Sequence, residues 1–150
     1  MSIPTTSAGG ILLRYEGNSI LIVIVQREKG IEKKWAPALR QLPKGGCREG
    51  ESLEQTALRE VLEETGFKAK LLGKAGQADW SYERNGQMYH ETVHYYFLEP
   101  IEPPQAHDDE FEVVRWIKIE EAAKTLSYSE ERDLIARIIA SGRFPQRTEQ

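Results

Sequence analysis

An α/β layered fold with a mixed sheet is the expectation for this 150-residue chain, and three features of its sequence predict it. Apolar and β-branched runs at 7–15, 18–27, 68–84, 87–99 and 111–117 read as strands. One segment, 52–65, carries both a start and a stop signal for a helix. Helical patterning then returns near 119–126 and 129–141. Strands and helices interleaved in that order predict helices layered on a mixed sheet.

The first two strands flank Glu16-Gly17-Asn18, which reads as a hairpin turn. Residues 28–41 are charged and irregular and read as a loop. Pro43-Lys44-Gly45-Gly46 reads as a turn whose glycines let the backbone pass close to a neighbour and expose carbonyl oxygens. Ser52 with Gln55 makes a capping box, and Gly66 stands where a left-handed C-cap belongs. The helix should therefore run from about 52 to about 65. At roughly 100° per residue, Leu53, Ala57, Leu58, Val61 and Leu62 are expected to pack, with Glu60, Glu63 and Glu64 on the opposite side. Asn85-Gly86 is a strong hairpin signal between the next two strands. Pro100 to Asp109, with three prolines, reads as a loop. Ser127-x-x-Glu130 marks the start of the last helix.

The length fits one domain over residues 1–150, able to bury roughly two-thirds of the surface its unfolded form exposes. Lys and Arg number 20 against 24 Asp and Glu, a formal charge of −4. That balance argues against non-specific binding to nucleic acid or an anionic membrane. The single cysteine, Cys47, cannot form an internal disulfide, consistent with a reducing compartment. The apolar run from Ile20 to Val25 is far too short to span a bilayer, and no charged N-terminal segment precedes an apolar core. A cytoplasmic location is expected.

The chemistry concentrates between Gly45 and Phe67, in GGCREGESLEQTALREVLEETGF. Like charges three and four positions apart destabilise a helix by about 0.2–0.5 kcal/mol per pair, so Glu60, Glu63 and Glu64 call for outside compensation. A divalent cation would supply it, since Mg²⁺ takes oxygen ligands shared between a few carboxylates and substrate phosphates. A charged helix face alone is ordinarily a solvated surface. The longer constellation decides otherwise. The pattern G-x5-E-x7-R-E-U-x-E-E-x-G-U, with U bulky and apolar, is met by Gly45, Glu51, Arg59, Glu60, Val61, Glu63, Glu64, Gly66 and Phe67. It resembles the signature of the Nudix hydrolases. Phe67 departs mildly, being aromatic where the family usually carries an aliphatic residue.

The resemblance implies a Nudix-type α/β/α sandwich and an enzyme that hydrolyses a nucleoside diphosphate linked to another group, with Mg²⁺ or Mn²⁺ as cofactor. It implies that Glu60, Glu63 and Glu64 are metal ligands or, for one of them, the base that activates water. Arg59 and Glu51 become a supporting pair, and the Gly45 carbonyl a further ligand. Glu110 stands where several family members supply an outer glutamate before an Arg-Trp pair, here Arg115-Trp116. Glu112 is the reserve for that role. The alternative is that His107-Asp108-Asp109-Glu110 is only a hydrated acidic loop, and nothing in the sequence fixes a partner for His107.

Substrate choice must come from outside the box. Leu42-Pro43-Lys44-Gly45 is similar to the entry of the box in dinucleoside and diphosphoinositol polyphosphate hydrolases, with Lys44 placed for a phosphate. Tyr82 and Thr92-Val93-His94-Tyr95 also resemble the dinucleoside polyphosphate branch. The lysine that branch places before Thr-Val is Glu91 here, a reversal that counts against a long polyphosphate. Trp80 and Tyr82 share a strand face by alternation, as do His94 and Tyr96. Tyr82 is expected to meet a base by stacking, against the alternative that it faces the core. Trp35 is a candidate lid residue, and Arg27, Arg40 and Lys44 flank the charged loop.

The function expected is therefore metal-dependent hydrolysis of dinucleoside polyphosphates, with a small nucleotide as partner and no membrane. Removal of pyrophosphate from an RNA 5′ end is an alternative that the Glu110-to-Trp116 segment resembles and the acidic charge opposes. ADP-ribose cleavage is another. A non-catalytic nucleotide sensor is the competing class, and the complete set of box carboxylates counts against it.

Overall fold

The computed structural model describes residues 1–27, 38–108, 110–111 and 113–146. Strands β1 (Ile3–Glu16) and β2 (Ser19–Arg27) form the expected hairpin. They are followed by β3 (Leu39–Gln41), β4 (Lys44–Gly46), α1 (Leu53–Thr65), β5 (Ala69–Arg84), β6 (Gln87–Pro100), β7 (Val113–Lys118), α2 (Ile119–Thr125) and α3 (Ser129–Ser141). The sheet runs β3-β2-β1-β6-β5, with β4 added to β1 and β7 to β2. Only the β1–β6 pairing is parallel among these, so the sheet is mixed, as the sequence predicts.

Strand alternation divides the core into two layers. Ile11, Leu13, Val93, Tyr95 and Phe97 point to the side covered by α2 and α3, where Leu134, Ile135 and Ile138 meet them. Ala8, Leu12, Tyr96 and Leu98 point to the other side, beneath Ala57 and Val61 of α1. The α/β/α sandwich follows directly. Phe67 fits the second layer, buried and edge-on to Trp116 at 5.7 Å.

Several expectations need correction. Pro43-Lys44-Gly45-Gly46 is not a free turn, because residues 44–46 pair with Ser7, Ala8 and Gly9 of β1. The end of the expected 28–41 loop is strand β3, drawn into the sheet by β2; residues 28–37, including Trp35, lie outside the described residues. Strand β7 starts at Val113, later than expected. The capping box at α3 does not form. Tyr128 is the N-cap, and the Ser127 hydroxyl instead accepts a hydrogen bond from the Arg40 backbone N–H at 2.8 Å.

Helix α3 carries one fully buried acid, Glu131. Tyr95 donates to one of its oxygens at 2.6 Å and the Leu42 N–H to the other at 3.2 Å. Burial pushes its carboxyl up from 4.5 to about 7 against the pull of those two donors. A carboxyl raised on folding contributes stability that is fully present below its unfolded pKa and is lost as pH rises through the folded one. Glu131→Gln should keep both contacts, its amide oxygen accepting from Leu42 and its amide nitrogen donating to Tyr95. Urea unfolding from pH 5 to pH 8 should therefore show wild type losing roughly 2.5 kcal/mol relative to this variant. An equal pH dependence in the two proteins would refute the assignment.

Candidate active site

Helix α1 begins and ends as its sequence dictates. The Ser52 hydroxyl accepts from the Gln55 N–H at 3.1 Å, and the Gln55 side chain accepts from the Ser52 N–H at 2.9 Å. Gly66 closes the helix at φ +81°, and its missing side chain leaves room for the Gln105 carbonyl. That opening matters for the site. Gln105 N–H donates to the Gly66 carbonyl at 2.9 Å and Asp108 N–H to the Glu63 carbonyl at 2.8 Å. The loop after β6 is thereby stitched to the end of the acidic helix, which brings Glu110 close enough to influence Glu64.

Arg59 organises the front of the site. Its Nε donates to Glu51 at 2.6 Å and its Nη2 to the other Glu51 oxygen at 2.9 Å, a two-pronged pair. Its Nη1 reaches Glu60 at 2.8 Å and Glu63 at 3.3 Å, and Nη2 also reaches the Gly46 carbonyl at 3.0 Å. Glu51 further accepts from the Thr56 hydroxyl at 2.7 Å and the Arg48 N–H at 3.1 Å. The Arg59 guanidinium and these donors hold the Glu51 carboxyl far below the usual carboxylate range. Glu51 is thus a fixed anion that orients Arg59.

Glu64 behaves differently from expectation. It is not presented on one open face with Glu60 and Glu63 but is buried, only 1% exposed. Strand β4 covers it, and the Lys44 N–H donates to its Oε1 at 3.3 Å. Burial first, then a hydrogen bond with Glu60 and the charges of Glu110 and Glu60, push its carboxyl up to about 10. Burial beside Glu60 therefore favours the protonated form of Glu64 in the metal-free protein. Glu63 turns the other way, toward Arg59 and toward Arg48 at 3.4 Å. Among the described residues, no three acidic, histidine or cysteine side chains converge on one point in this arrangement.

Gly45 lies directly against Glu60. A Cβ added there would fall on the Glu60 carboxyl group, so the backbone of β4 and this carboxylate share one narrow space. The donor set fits a hard divalent cation: all oxygen, with a protonated acid where a cation would replace the proton. Gly45→Ala should leave a folded protein, since the obstructed atoms are the end of a flexible side chain. Its activity should drop at least about tenfold, roughly 1.4 kcal/mol in barrier, as measured by chromatography of the nucleotide products. Full activity in a folded Gly45→Ala protein would remove Gly45 from the site.

Other expected residues are placed as follows. Glu110 is raised above the ordinary carboxylate range by burial, then by Asp108 and Glu60, while Arg27 and Lys44 oppose the rise. Its side chain is exposed, and its backbone N–H donates to the Asp108 carboxylate at 3.1 Å. Glu112 lies outside the described residues. His107 bonds only its neighbour's carbonyl among the described contacts. Arg40 pairs with Glu121 at 3.3 Å. Lys44 pairs with Glu91, so it offers no free charge. Tyr82 stacks on its cross-strand partner Tyr89 at 5.2 Å, and Trp80 is the aromatic that meets Lys44. His94 and Tyr96 face the α1 side, where Tyr96 joins the core.

These features define a class, and comparison with known proteins agrees. A family model for the NUDIX domain matches residues 4–138. The putative mutator protein MutT4 of Mycobacterium tuberculosis (strain CDC 1551 / Oshkosh) is 35% identical over 141 residues, 89% of this chain and 54% of that protein. The ADP-ribose pyrophosphatase of Bacillus subtilis (strain 168) is 31% identical over 117 residues, 75% of this chain and 59% of that protein. The chain thus spans little more than half the length of these curated relatives. A crystal structure of a C. elegans Ap4A hydrolase binary complex superposes with a TM-score of 0.66 at 22% identity, covering 92% of this chain and 96% of that one. This likeness concerns the fold alone. The chain belongs to the Nudix hydrolase family. No helix among the described residues is long and apolar enough to cross a membrane.

Proposed function

We propose that this chain is a metal-dependent pyrophosphohydrolase that cleaves a phosphoanhydride bond in a nucleoside diphosphate linked to a second group. The observation that carries this reading is the buried Glu64, held against Glu60 and the β4 backbone and within the electrostatic reach of Glu110. Such a grouping of acids is destabilising unless something positive completes it. Glu60, Glu63 and Glu64 with the Gly45 carbonyl would hold the cation, and Glu110 would supply an outer oxygen. Glu63, bonded here to Arg59 and to the exposed Arg48, would give up the Arg48 contact to turn toward the cation. Mg²⁺ or Mn²⁺ bound there would offset pyrophosphate charge and help activate water for in-line attack.

The protein's own groups then have distinct tasks. Glu51 fixes Arg59, and Arg59 holds Glu60 and Glu63 in register. One of the box glutamates, or Glu110 with its raised affinity for a proton, takes the proton from the attacking water. Residues 1–150 are read as one such domain. Dinucleoside polyphosphates remain a substrate candidate through the resemblance at Lys44 and Tyr82. ADP-ribose and RNA 5′ ends serve the same chemistry. All box carboxylates are kept, which favours an enzyme over a sensor. Incubation of a nucleotide panel with Mg²⁺ and with Mn²⁺, followed by chromatographic separation of the phosphorylated products, tests the reading. Metal-dependent cleavage of at least one member is expected, and inertness toward every member would contradict it.

A further inference from the structure

The Lys44–Glu91 pair borders the acidic centre and bears on what the site accepts beyond the pyrophosphate, an inference that rests on the hydrolase reading above. Lys44 links the two places: its backbone N–H bonds Glu64, while its Nζ lies 3.7 Å from Glu91 Oε1. The other Glu91 oxygen accepts from the Ser7 hydroxyl at 2.7 Å. Both side chains of the pair are largely shielded, at 17% and 15% exposure. Trp80 covers the Lys44 ammonium, with its ring centroid 4.9 Å from Nζ, and itself stacks on Tyr128 at 5.9 Å. Sheet pairing explains the meeting. Lys44 sits opposite Gly9, whose lack of a side chain admits it, and Ser7, Glu91 and Trp80 project from the same sheet face.

We propose that Glu91 is a specificity-determining residue: it neutralises Lys44, excludes a phosphate chain from the space beside Lys44, and favours a neutral, hydroxyl-bearing group beyond the pyrophosphate. A phosphate reaching Lys44 would stand beside the Glu91 carboxylate and be repelled. Moving Glu91 aside would break its Ser7 bond and leave a shielded anion without its cation, which is costly. A sugar meets neither obstacle. Its hydroxyls donate, the carboxylate accepts, and hydrogen bonds to a charged acceptor are the stronger kind.

Steady-state kinetics of wild type, Glu91→Gln, Lys44→Ala and the double variant with ADP-ribose and with diadenosine tetraphosphate test this. Wild type should show at least a tenfold higher kcat/KM for ADP-ribose. Glu91→Gln should lower KM for the tetraphosphate at least fivefold with kcat within twofold, and should raise KM for ADP-ribose. That gain should vanish in the Lys44→Ala background, because the freed ammonium causes it. An unchanged tetraphosphate KM in folded Glu91→Gln, or KM values moving together for both substrates, would overturn the proposal. If Glu91→Gln does not fold, a wild-type preference for the tetraphosphate overturns it equally. If neither nucleotide is cleaved, titration calorimetry with the same pair decides: retained binding preference would contradict the hydrolase reading alone, and lost preference would sink this proposal.

Discussion

Glu64→Gln is expected to lower kcat at least about a hundredfold, roughly 2.7 kcal/mol in activation free energy, while making the metal-free protein more stable at pH 8. Both effects have one cause. Glu64 is buried and its carboxyl is pushed up from 4.5 to about 10. A raised carboxyl gives stability that is complete below its unfolded pKa and declines as pH rises toward the folded value. Wild type without metal should therefore lose stability across that window, whereas glutamine, which resembles the protonated acid and still accepts from Lys44, should not. Thermal unfolding with chelator should place the variant several degrees above wild type at pH 8 and level with it near pH 5. With saturating Mg²⁺ the order should narrow or reverse, because only the wild type can offer the cation a charged oxygen here. Near-wild-type turnover in Glu64→Gln would remove Glu64 from the site.

Arg59→Ala should have the second-largest effect, on activity and on stability together. One guanidinium meets Glu51, Glu60, Glu63 and the Gly46 carbonyl. Its loss leaves Glu51 and Glu60 without their cation, Glu63 with Arg48 alone, and the turn into α1 without a tie. The site is open to water on one side, so the loss should be about 2 kcal/mol, toward the lower part of the range for hydrogen bonds to charged groups. kcat should fall about a hundredfold, because Glu60 and Glu63 would no longer be held in place. Arg59→Lys should rescue little. An ammonium cannot reproduce the two-pronged contact with Glu51 or span to Glu60 at the same time. Denaturant unfolding with parallel kinetics checks both parts, and full rescue by lysine would show that charge alone is needed.

The box helix was legible because its signals are local. Ser52, Gln55 and Gly66 act within a turn of their own positions, and the Glu51–Arg59 pair is fixed by the same short segment. The two long hairpins were legible for the same reason, through Gly17 and Asn85-Gly86. The burial of Glu64 was not anticipated, although a signal existed: it stands two helical turns after the buried Ala57, and so on the same side. Strands β3 and β4 escape a sequence reading because three residues carry no period, and pairing with β2 and β1 makes them.

Non-local pairs were the remaining gap. Lys44 and Glu91 are far apart in sequence and meet only because β4 and β6 both flank β1. Read singly, Lys44 pointed to phosphate; read with Glu91, it is already neutralised. Glu131 was invisible for a related reason, since an acid in an amphipathic helix reads as solvated until Tyr95 and Leu42 are brought to it.

Proton release on Mn²⁺ binding is the most direct test of the acidic centre as a cation site. Deprotonated carboxylates bind metal and protonated ones do not. Calorimetric titrations at pH 7.5 in buffers of different ionisation enthalpy should therefore report about one proton released per cation, with that release abolished in Glu64→Gln. Tight Mn²⁺ binding without proton release, or equal release from the Glu64→Gln protein, would contradict the account.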